Sequence, residues 1–352
     1  MKKIGILIRS LKPGGAEKQS ALLASVLSDE YSVFVFYQYK EASPANLKLI
    51  DRENITKVHL NGNIVSKASQ LRKNIVKNDI QCIFAYLSSD NLIASIATLR
   101  LSQCKVYGGI RSSRLPYHKF ITLKLLHKHF QTATIFNNHA GKDLFISNGF
   151  LKSKSIVVPN AINVNGTDAD RQNSERINII SIGRFVKAKD YETALQAIKR
   201  LTITSTRKIK YYIVGFGPEE QNIRELVDRE NLNDTAELII KPDNIEDYYK
   251  KANIYLCTSI FEGLSNSIME ALNYRLPVVA TDVGDNSQLV IHNQTGYLTK
   301  NKAPVDIANY LQYLIDHPES GRSMGKEGYI HLKNNYSTNK FKERYKQLIE
   351  SQ

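Results

Sequence analysis

The chain has 352 residues, more than one hydrophobic core usually supports, so its length predicts two domains. Its composition is 42% hydrophobic, and no run reaches the roughly 18 apolar residues of a membrane-spanning helix. The first residues, Met1–Lys3, lead into a predicted strand and not into the apolar region of a signal peptide, so we expect a cytoplasmic protein. Residues 1–165 hold 23 Lys and Arg against 9 Asp and Glu, whereas residues 166–352 hold 25 against 25, so the first half favours an anionic partner: nucleic acid, membrane or phosphorylated substrate.

Short apolar runs alternate with helical patterns along the first half of the chain. A strand over Lys3–Ser10 is followed by a Pro13-Gly14-Gly15 turn and a helix over Ala16–Leu27. Further strands are predicted to begin at Ser32, Cys82, Lys105, Ala133 and Ser155, and further helices to cover Lys67–Lys77, Leu92–Leu101 and Lys119–His129. This alternation predicts an α/β domain with a parallel sheet covered on both faces.

A second α/β cycle follows a polar segment, Asn163–Arg176, that is typical of a linker. Its strands are predicted to begin at Ile177, Tyr211, Leu238, Ile254 and Pro277, and its helices to cover Tyr191–Leu201, Glu219–Glu230, Ile245–Ala252, Asn266–Tyr274 and Val305–Asp316. We therefore expect domains over residues 1–165 and 166–335. A charged C-terminal helix, residues 336–352, is expected to cross back to the first domain.

Two carboxylates, Glu262 and Glu270, flank a turn that opens a helix. Carboxylates accept hydrogen bonds from sugar hydroxyls, and free backbone amides at the start of a helix can hold an anion. The backbone amides that could hold an anion here are those of Gly263, Leu264, Ser265 and Asn266. A helix cap followed by a surface glutamate explains the phrase about equally well when it is taken alone.

Two cations, Arg184 and Lys189, follow Gly183 directly after a predicted strand. This places them at the carboxyl edge of the sheet, where α/β proteins bind ligands and where two cations would suit a diphosphate without a metal ion. A solvated basic loop is the alternative reading of these residues.

Other local patterns exclude several kinds of site. The glycine turns at Gly14-Gly15 and at Gly215-Phe216-Gly217 lack the GxGxxG and GK[ST] patterns of dinucleotide-binding and P-loop proteins. The three cysteines, Cys82, Cys104 and Cys257, lie apart in apolar surroundings, which predicts reduced core residues and no metal site.

In chain order, these phrases resemble the retaining glycosyltransferases of family 4, and the resemblance covers nearly the whole chain. That family has the GT-B fold, in which two Rossmann-like domains face each other across a cleft. The matching phrases are Gly14-Gly15-Ala16-Glu17, Val158-Pro159-Asn160, Gly183-Arg184 with Lys189, Val214-Gly215-Phe216-Gly217-Pro218, Glu262 with Glu270, Pro277-Val278-Val279-Ala280-Thr281, Gly284 and Thr295-Gly296-Tyr297.

The resemblance implies a division of roles around a nucleotide diphosphate-sugar, the donor substrate, with no cofactor and no metal. Arg184 and Lys189 would hold the diphosphate, Glu270 the ribose, and Glu262 with the backbone of residues 263–266 the transferred sugar. Four glycines would let the backbone approach the donor closely: Gly14, Gly15, Gly183 and Gly217. The base of the nucleotide would lie near the segment from Lys241 to Asp243. The implied mechanism is front-face substitution, in which the departing phosphate oxygen takes the acceptor proton.

The chain departs from the family pattern at two places. Many members have a donor-contacting His after the strand that ends at Ile110, where this chain has Arg111, and Gln288 replaces a usual Glu. An arginine cannot serve as a general base at neutral pH, but it can bind a phosphate or a sugar hydroxyl. We therefore expect Arg111 to assist catalysis and, with Arg114 and His139, to contact the acceptor. A structural role is the alternative reading of His139.

The segment Tyr117–His129 mixes apolar side chains with lysines and three histidines. It fits a basic amphipathic helix at an anionic membrane surface as well as it fits an ordinary helix with one core face. The charge asymmetry favours the first reading, and with it a lipid-linked or saccharide acceptor at the inner face of the plasma membrane. A uridine donor is expected on family frequency.

Two other functions are compatible with parts of the sequence. A nucleotide-sugar 2-epimerase would share the fold, but it should place more carboxylates and histidines against the sugar than this sequence offers. A non-catalytic nucleic-acid-binding protein would fit the charge, but no RNP-like or helix-turn-helix pattern is present. We therefore expect an enzyme that does not bind nucleic acid.

Overall fold

A computed structural model describes residues 1–112, 115–167 and 176–351. The chain divides into two compact units: unit 1 is Met1–Ala161 together with the segment from Thr338, and unit 2 is Ile162–Ser337. Both crossings between the units lie a few residues from the boundaries expected at 165/166 and 335/336.

Unit 1 contains a seven-stranded parallel sheet with the strand order β3-β2-β1-β4-β5-β6-β7. Its strands are β1 (Lys3–Ile8), β2 (Ser32–Tyr37), β3 (Ile55–His59), β4 (Cys82–Ala85), β5 (Lys105–Ile110), β6 (Ala133–Phe136) and β7 (Ser155–Val157). Its helices are α1 (Gly15–Leu27), α2 (Pro44–Leu49), α3 (Ile64–Asn78), α4 (Ser88–Ala97), α5 (Tyr117–His129) and α6 (His139–Ser147).

The central strands of unit 1 are buried on both faces, which explains their continuous apolar runs. β1 pairs with β2 on one side and with β4 on the other, so the connections leave the sheet in opposite directions at this point. The helix formed by Thr338–Glu350 (α14, the last in the chain) belongs to unit 1, because it buries Phe341, Tyr345 and Ile349 in the core.

Unit 2 contains a six-stranded parallel sheet with the strand order β10-β9-β8-β11-β12-β13. Its strands are β8 (Arg176–Arg184), β9 (Lys208–Phe216), β10 (Ala236–Ile240), β11 (Ile254–Cys257), β12 (Val278–Thr281) and β13 (Gly296–Thr299). Its helices are α7 (Tyr191–Thr204), α8 (Glu220–Arg229), α9 (Glu246–Lys251), α10 (Asn266–Asn273), α11 (Asn286–Leu289), α12 (Pro304–Asp316) and α13 (Pro318–Tyr336).

The strand order of unit 2 reverses between β8 and β11. β8 pairs with β9 on one side and with β11 on the other, so the loops after β8 and β11 diverge and leave a crevice at the carboxyl edge. A Cβ atom at Gly215 would lie 1.9 Å from the carbonyl oxygen of Gly183, so glycine is needed where β9 ends beside β8. The candidate site lies in this crevice.

Six elements were not predicted from the sequence: α2, β3, α6, α11, β13 and α13. The three cysteines are free and buried, as expected. Among the described helices, none has the length and apolar character needed to cross a bilayer.

Candidate active site

The loop between β8 and α7 carries Lys189 and is tied to the end of β11. The hydroxyl of Thr258 donates to the carbonyl oxygens of Lys189 and Asp190 at 3.0 and 2.9 Å. Asp190 adopts a left-handed conformation with φ 48° and caps α7, where it accepts a 2.7 Å bond from the hydroxyl of Thr193. Gly183 leaves room for the Lys189 side chain, since a Cβ there would lie 3.0 Å from its Cε.

Lys189 and Glu262 form an ion pair in the crevice. The Nζ of Lys189 lies 2.5 Å from Oε1 of Glu262, which also accepts a 2.9 Å bond from the hydroxyl of Ser259. The two side chains are only 20% and 15% exposed. Burial lowers the pKa of Lys189, but Cys257 and the Glu262 carboxylate raise it more, so Lys189 stays protonated at neutral pH.

The backbone around Glu262 is held by the neighbouring loops. The hydroxyl of Thr281 donates to the carbonyl oxygen of Ser259 at 2.5 Å. Gly284 has φ 60°, and a Cβ at this position would lie 2.2 Å from the carbonyl oxygen of Glu262. The amide of Asp285 donates to the carbonyl of Gly263 at 2.9 Å. The carboxylate is therefore held by a fixed loop.

Arg184 and the start of α10 add positive potential to this crevice. Arg184 is exposed at the end of β8, forms no ion pair within the described residues, and lies close enough to oppose the protonation of Lys189. In the same described ranges, the backbone amides of Gly263, Leu264 and Ser265 donate to no protein acceptor. Ser265 caps α10 by accepting from the amide of Ile268. An anion here would meet a guanidinium and free N–H groups.

Glu270 lies one turn into α10 and is held by a buried tyrosine. The hydroxyl of Tyr249 donates to Oε2 of Glu270 at 2.9 Å. Burial, reinforced by this carboxylate, holds the pKa of Tyr249 well above its usual value, so the phenol remains a donor. Glu270 itself is half-buried, and a carboxylate can accept from several donors at once.

The carboxyl ends of β9 and β10 bring an aromatic ring and a lysine together. The Nζ of Lys241 lies 4.9 Å from the centre of the Phe216 ring, which is 50% exposed. Gly217 is required beside this ring, because a Cβ there would lie 2.4 Å from the carbonyl oxygen of Phe185. Asp243 is exposed two residues beyond Lys241.

The predicted residues of unit 1 are dispersed over several loops. Gly14 caps α1 and Gly15 begins it; a Cβ at Gly15 meets no atom within 4 Å. His139 is exposed at the start of α6. Arg114 lies outside the described residues.

Arg111 points into unit 1. It donates to the hydroxyl of Tyr345 at 3.2 Å and lies 4.5 Å from the centre of the Tyr86 ring. Its Nε and Nη1 are buried and have no hydrogen-bond partner in the part of the chain that the structure describes. The acceptor and catalytic roles expected for Arg111 stay predictions.

His127 does not belong to the basic surface that the sequence predicts for α5. Its ring is buried, with Nδ1 2.8 Å from the hydroxyl of Thr134 and Nε2 accepting from the amide of Leu151 at 2.8 Å. Burial, with the charge of Lys154, lowers the pKa of His127 to about 4, so it is a neutral core residue.

Sequence reasoning missed four residues that shape the crevice: Thr258, Ser259, Tyr249 and Phe216. Thr258 and Ser259 follow a buried strand directly, and polar residues at that place in a parallel sheet are a usable signal. Tyr249 gave no signal, because its contact with Glu270 spans 21 residues between two helices.

The chain is similar to known glycosyltransferases. Residues 167–331 match the family model "Glycosyl transferases group 1". An uncharacterized glycosyltransferase of Haemophilus influenzae is 23% identical over 99% of this chain and 100% of the relative. Residues 167–331, which lie within unit 2, are therefore similar to the group 1 glycosyl transferases.

Two further proteins are similar to this chain over most of its length. The N-acetylgalactosamine-N,N'-diacetylbacillosaminyl-diphospho-undecaprenol 4-alpha-N-acetylgalactosaminyltransferase of Campylobacter jejuni is 26% identical over 80% of this chain and 81% of the relative. The crystal structure of Anabaena Alr3699/HepE in complex with UDP superposes with a TM-score of 0.84, at 17% identity over the whole of both chains. The fold of the chain is GT-B, as expected.

Proposed function

We propose that this chain is a glycosyltransferase that moves a hexose or N-acetylhexosamine from a UDP-sugar to a lipid-linked or saccharide acceptor in bacterial cell-surface glycan synthesis. The transfer retains the configuration of the sugar and needs no metal ion. The observation that carries the proposal is the Lys189–Glu262 pair, which lies beside Arg184 and the free amides of residues 263–265, just before α10, at the switch point of the sheet.

The diphosphate of the donor would lie against Arg184 and the amides of residues 263–265. Arginine binds phosphate oxygens bidentately, and the start of a helix favours negative charge. Lys189 adds a cation whose position is fixed by Glu262 and by the loop bonds of Thr258. These groups would stabilise the charge that develops on the leaving diphosphate, the part of the reaction where preorganised donors contribute most.

The reaction proposed at this site exchanges one carbon–oxygen bond for another on the same face of the sugar. The bond from the anomeric carbon to the diphosphate breaks, the bond to the acceptor oxygen forms, and the acceptor proton passes to the departing phosphate oxygen. Oε1 of Glu262 accepts from Lys189 and Ser259. Oε2 of the same carboxylate would accept from hydroxyls of the transferred sugar and so position it. The protein would act by positioning and electrostatics.

The nucleoside would occupy the crevice on either side of the diphosphate. Glu270, oriented by Tyr249, offers acceptors for the ribose hydroxyls, and Lys241 with Phe216 offers an edge for the base. A uridine base is proposed on the likeness to the Anabaena structure that contains UDP. Gly15 fits a close approach of ligand to backbone, because packing within unit 1 does not demand glycine there.

The acceptor would be held by unit 1 at an anionic membrane surface. The Campylobacter jejuni relative acts on a diphospho-undecaprenol acceptor, and the net charge of this chain is concentrated in residues 1–165. Helix α5 exposes Tyr117 and Leu125 together with Lys119 and Lys128, a combination suited to the lipid interface.

The test is turnover of UDP-sugars by the purified chain in the presence of EDTA. We expect one UDP-sugar from a panel of UDP-glucose, UDP-galactose and their N-acetylated forms to release UDP when an undecaprenyl diphosphate-linked sugar is supplied. Proton NMR of the product should show the anomeric configuration of the donor. Absence of UDP binding by calorimetry, or an inverted product, would refute the proposal.

A further inference from the structure

Two cations of unit 1 converge on one exposed aromatic ring. The guanidinium carbon of Arg9 lies 5.4 Å from the centre of the Tyr39 ring, and the Nζ of Lys67 lies 5.1 Å from it. Arg9 directly follows β1, Tyr39 follows β2, and Lys67 lies in the first turn of α3 after β3. All three therefore lie at the carboxyl edge of the sheet, where ligands of α/β proteins bind.

The arrangement is prearranged by the backbone and by buried polar groups. The amides of Gln38 and Tyr39 both donate to the carbonyl oxygen of Arg9, at 3.0 and 3.1 Å. Lys67 donates to the side-chain oxygen of Gln38 at 3.2 Å, and the nitrogen of that amide donates to the buried carboxyl of Asp90 at 2.6 Å. The ammonium of Lys67 is thus directed toward Tyr39 by a chain of bonds that ends in the core.

The local charge of this cluster is not neutralised. Within the described residues, neither Arg9 nor Lys67 forms an ion pair, although two cations around one ring repel each other. The only carboxyl in the chain of bonds, Asp90, is fully buried and contacts Gln38. Tyr39 remains 46% exposed, so a ligand can reach the ring and the cations together.

We propose that Arg9, Lys67 and Tyr39 form an acceptor subsite for a phosphoryl or diphosphoryl group. The inference rests on the proposed function and deepens it, because it assigns the phosphate of the acceptor to named residues. Arg9 supplies a planar fork for two phosphate oxygens and Lys67 a point charge, while the Tyr39 ring packs against the group attached to the phosphate. A neutral saccharide acceptor lacks the charge that this subsite selects.

The experiment measures binding of two probes with the donor site already filled. The purified chain is saturated with UDP, and geranyl diphosphate or inorganic pyrophosphate is then titrated in by calorimetry. We expect the double variant Arg9→Gln/Lys67→Gln to bind geranyl diphosphate at least about tenfold more weakly than the wild type, because two charge-assisted contacts are lost. The matched control is Lys77→Gln, which removes an exposed charge from the same helix.

Conservative variants separate a binding role from a structural one. Arg9→Lys should retain more affinity than Arg9→Gln, and Tyr39→Phe more than Tyr39→Leu, because charge and ring are preserved. The affinity for UDP should be the same in all variants, which shows that the chain is folded and that the donor site is intact.

The outcomes are distinguishable. Weakened binding of both probes supports the subsite and shows that the diphosphate alone is sufficient for recognition. Weakened binding of geranyl diphosphate, with no binding of pyrophosphate by the wild type, supports the subsite for a lipid-attached diphosphate. The inference is overturned if the double variant binds geranyl diphosphate as tightly as the wild type does. It is also overturned if the wild type binds UDP but does not bind geranyl diphosphate. Failure of the wild type to bind UDP overturns the proposed function instead.

Discussion

At the scale of single residues, the Lys189–Glu262 pair makes the sharpest prediction. Replacing Glu262 by Gln removes the carboxylate that fixes Lys189 and would hold the transferred sugar. We expect turnover of the UDP-sugar to fall by about 100-fold or more, the size of effect seen when one preorganised catalytic contact is lost. Steady-state kinetics checks this, with the exposed Glu225→Gln on α8 as the control. Equal kcat values for the two variants would contradict the role of Glu262.

Tyr249 gives a second residue-scale prediction. Tyr249→Phe removes the 2.9 Å bond to Glu270 and leaves the ring packing in place. We expect the Kd of UDP to rise about tenfold, because a hydrogen bond to a charged group contributes about 1.5 kcal/mol or more, while the Kd of pyrophosphate stays constant. Tyr255→Phe is the matched control, since that buried hydroxyl donates to the carbonyl of Ile182 instead. Equal losses for UDP and pyrophosphate would place Glu270 away from the ribose.

The sequence was informative about some of these residues and silent about others. Lys189 and Glu262 could be singled out because each belongs to a short phrase beside a predicted strand end. Their contact could not be predicted, because it joins positions 73 residues apart. His127 was misread for a related reason: its partners, Thr134 and the amide of Leu151, lie outside the helical pattern used to assign its face.

At the scale of elements, α13 shows why the sequence pattern did not predict some helices. It contains Gly321, Gly325 and Gly328, and glycine disfavours a helix. One of these glycines is needed for packing, because a Cβ at Gly325 would lie 2.0 Å from the carbonyl oxygen of Arg275. A Cβ at Gly328 would lie 2.6 Å from the end of the Leu272 side chain. The edge strand β3 was not predicted for another reason. Only one of its five residues is buried, so it has no continuous apolar run.

The glycines of α13 yield a paired stability prediction. Gly325→Ala should lower the free energy of unfolding by about 1–3 kcal/mol, because the backbone of Arg275 cannot move aside cheaply. Gly321→Ala should raise it by about 0.5–1 kcal/mol, since the new methyl group meets only ordinary contacts at 3.6 and 3.7 Å. Urea unfolding measures both variants. A destabilised Gly321→Ala, or an unaffected Gly325→Ala, would refute this account of the packing.

Helix α5 gives the second prediction at this scale. Replacing Lys119 and Lys128 by Gln should weaken binding to vesicles of phosphatidylglycerol and phosphatidylcholine by roughly 30-fold, because each basic residue near an anionic surface contributes about 1 kcal/mol. Leu125→Ser should weaken it further by removing a side chain that is 52% exposed. Val76→Ser on α3, 57% exposed, is the control for an apolar side chain elsewhere. Sedimentation with the vesicles measures binding, and unchanged binding by the lysine variant would exclude α5 as the contact.

At the scale of the whole molecule, alternating strands and helices were enough to predict two α/β units, because buried parallel strands have continuous apolar runs. The pattern could not predict which buried polar groups each unit contains. Unit 1 holds two that titrate in opposite senses, Asp90 and His127. His127, with its pKa lowered to about 4, stabilises unit 1 fully above about pH 6.5, and this contribution is lost as the pH falls toward 4.

Asp90 has the opposite effect, and its replacement tests the balance. Burial raises its pKa from 3.8 to about 7, although the amide of Leu87 and the side chain of Gln38 oppose the shift. The stabilising protonated form is complete below about pH 4, and its contribution is lost as the pH rises through 7. Asp90→Asn is uncharged at every pH, but its NH2 cannot replace both carboxyl oxygens, which accept from Gln38 and from the amide of Leu87. Its unfolding free energy should therefore be lower than that of the wild type at pH 4 and should rise relative to the wild type between pH 4 and 7. The limit is about 4 kcal/mol for a shift of about three pKa units. Urea unfolding at each pH measures the difference, and a difference that is constant with pH would show that Asp90 titrates normally in the folded chain.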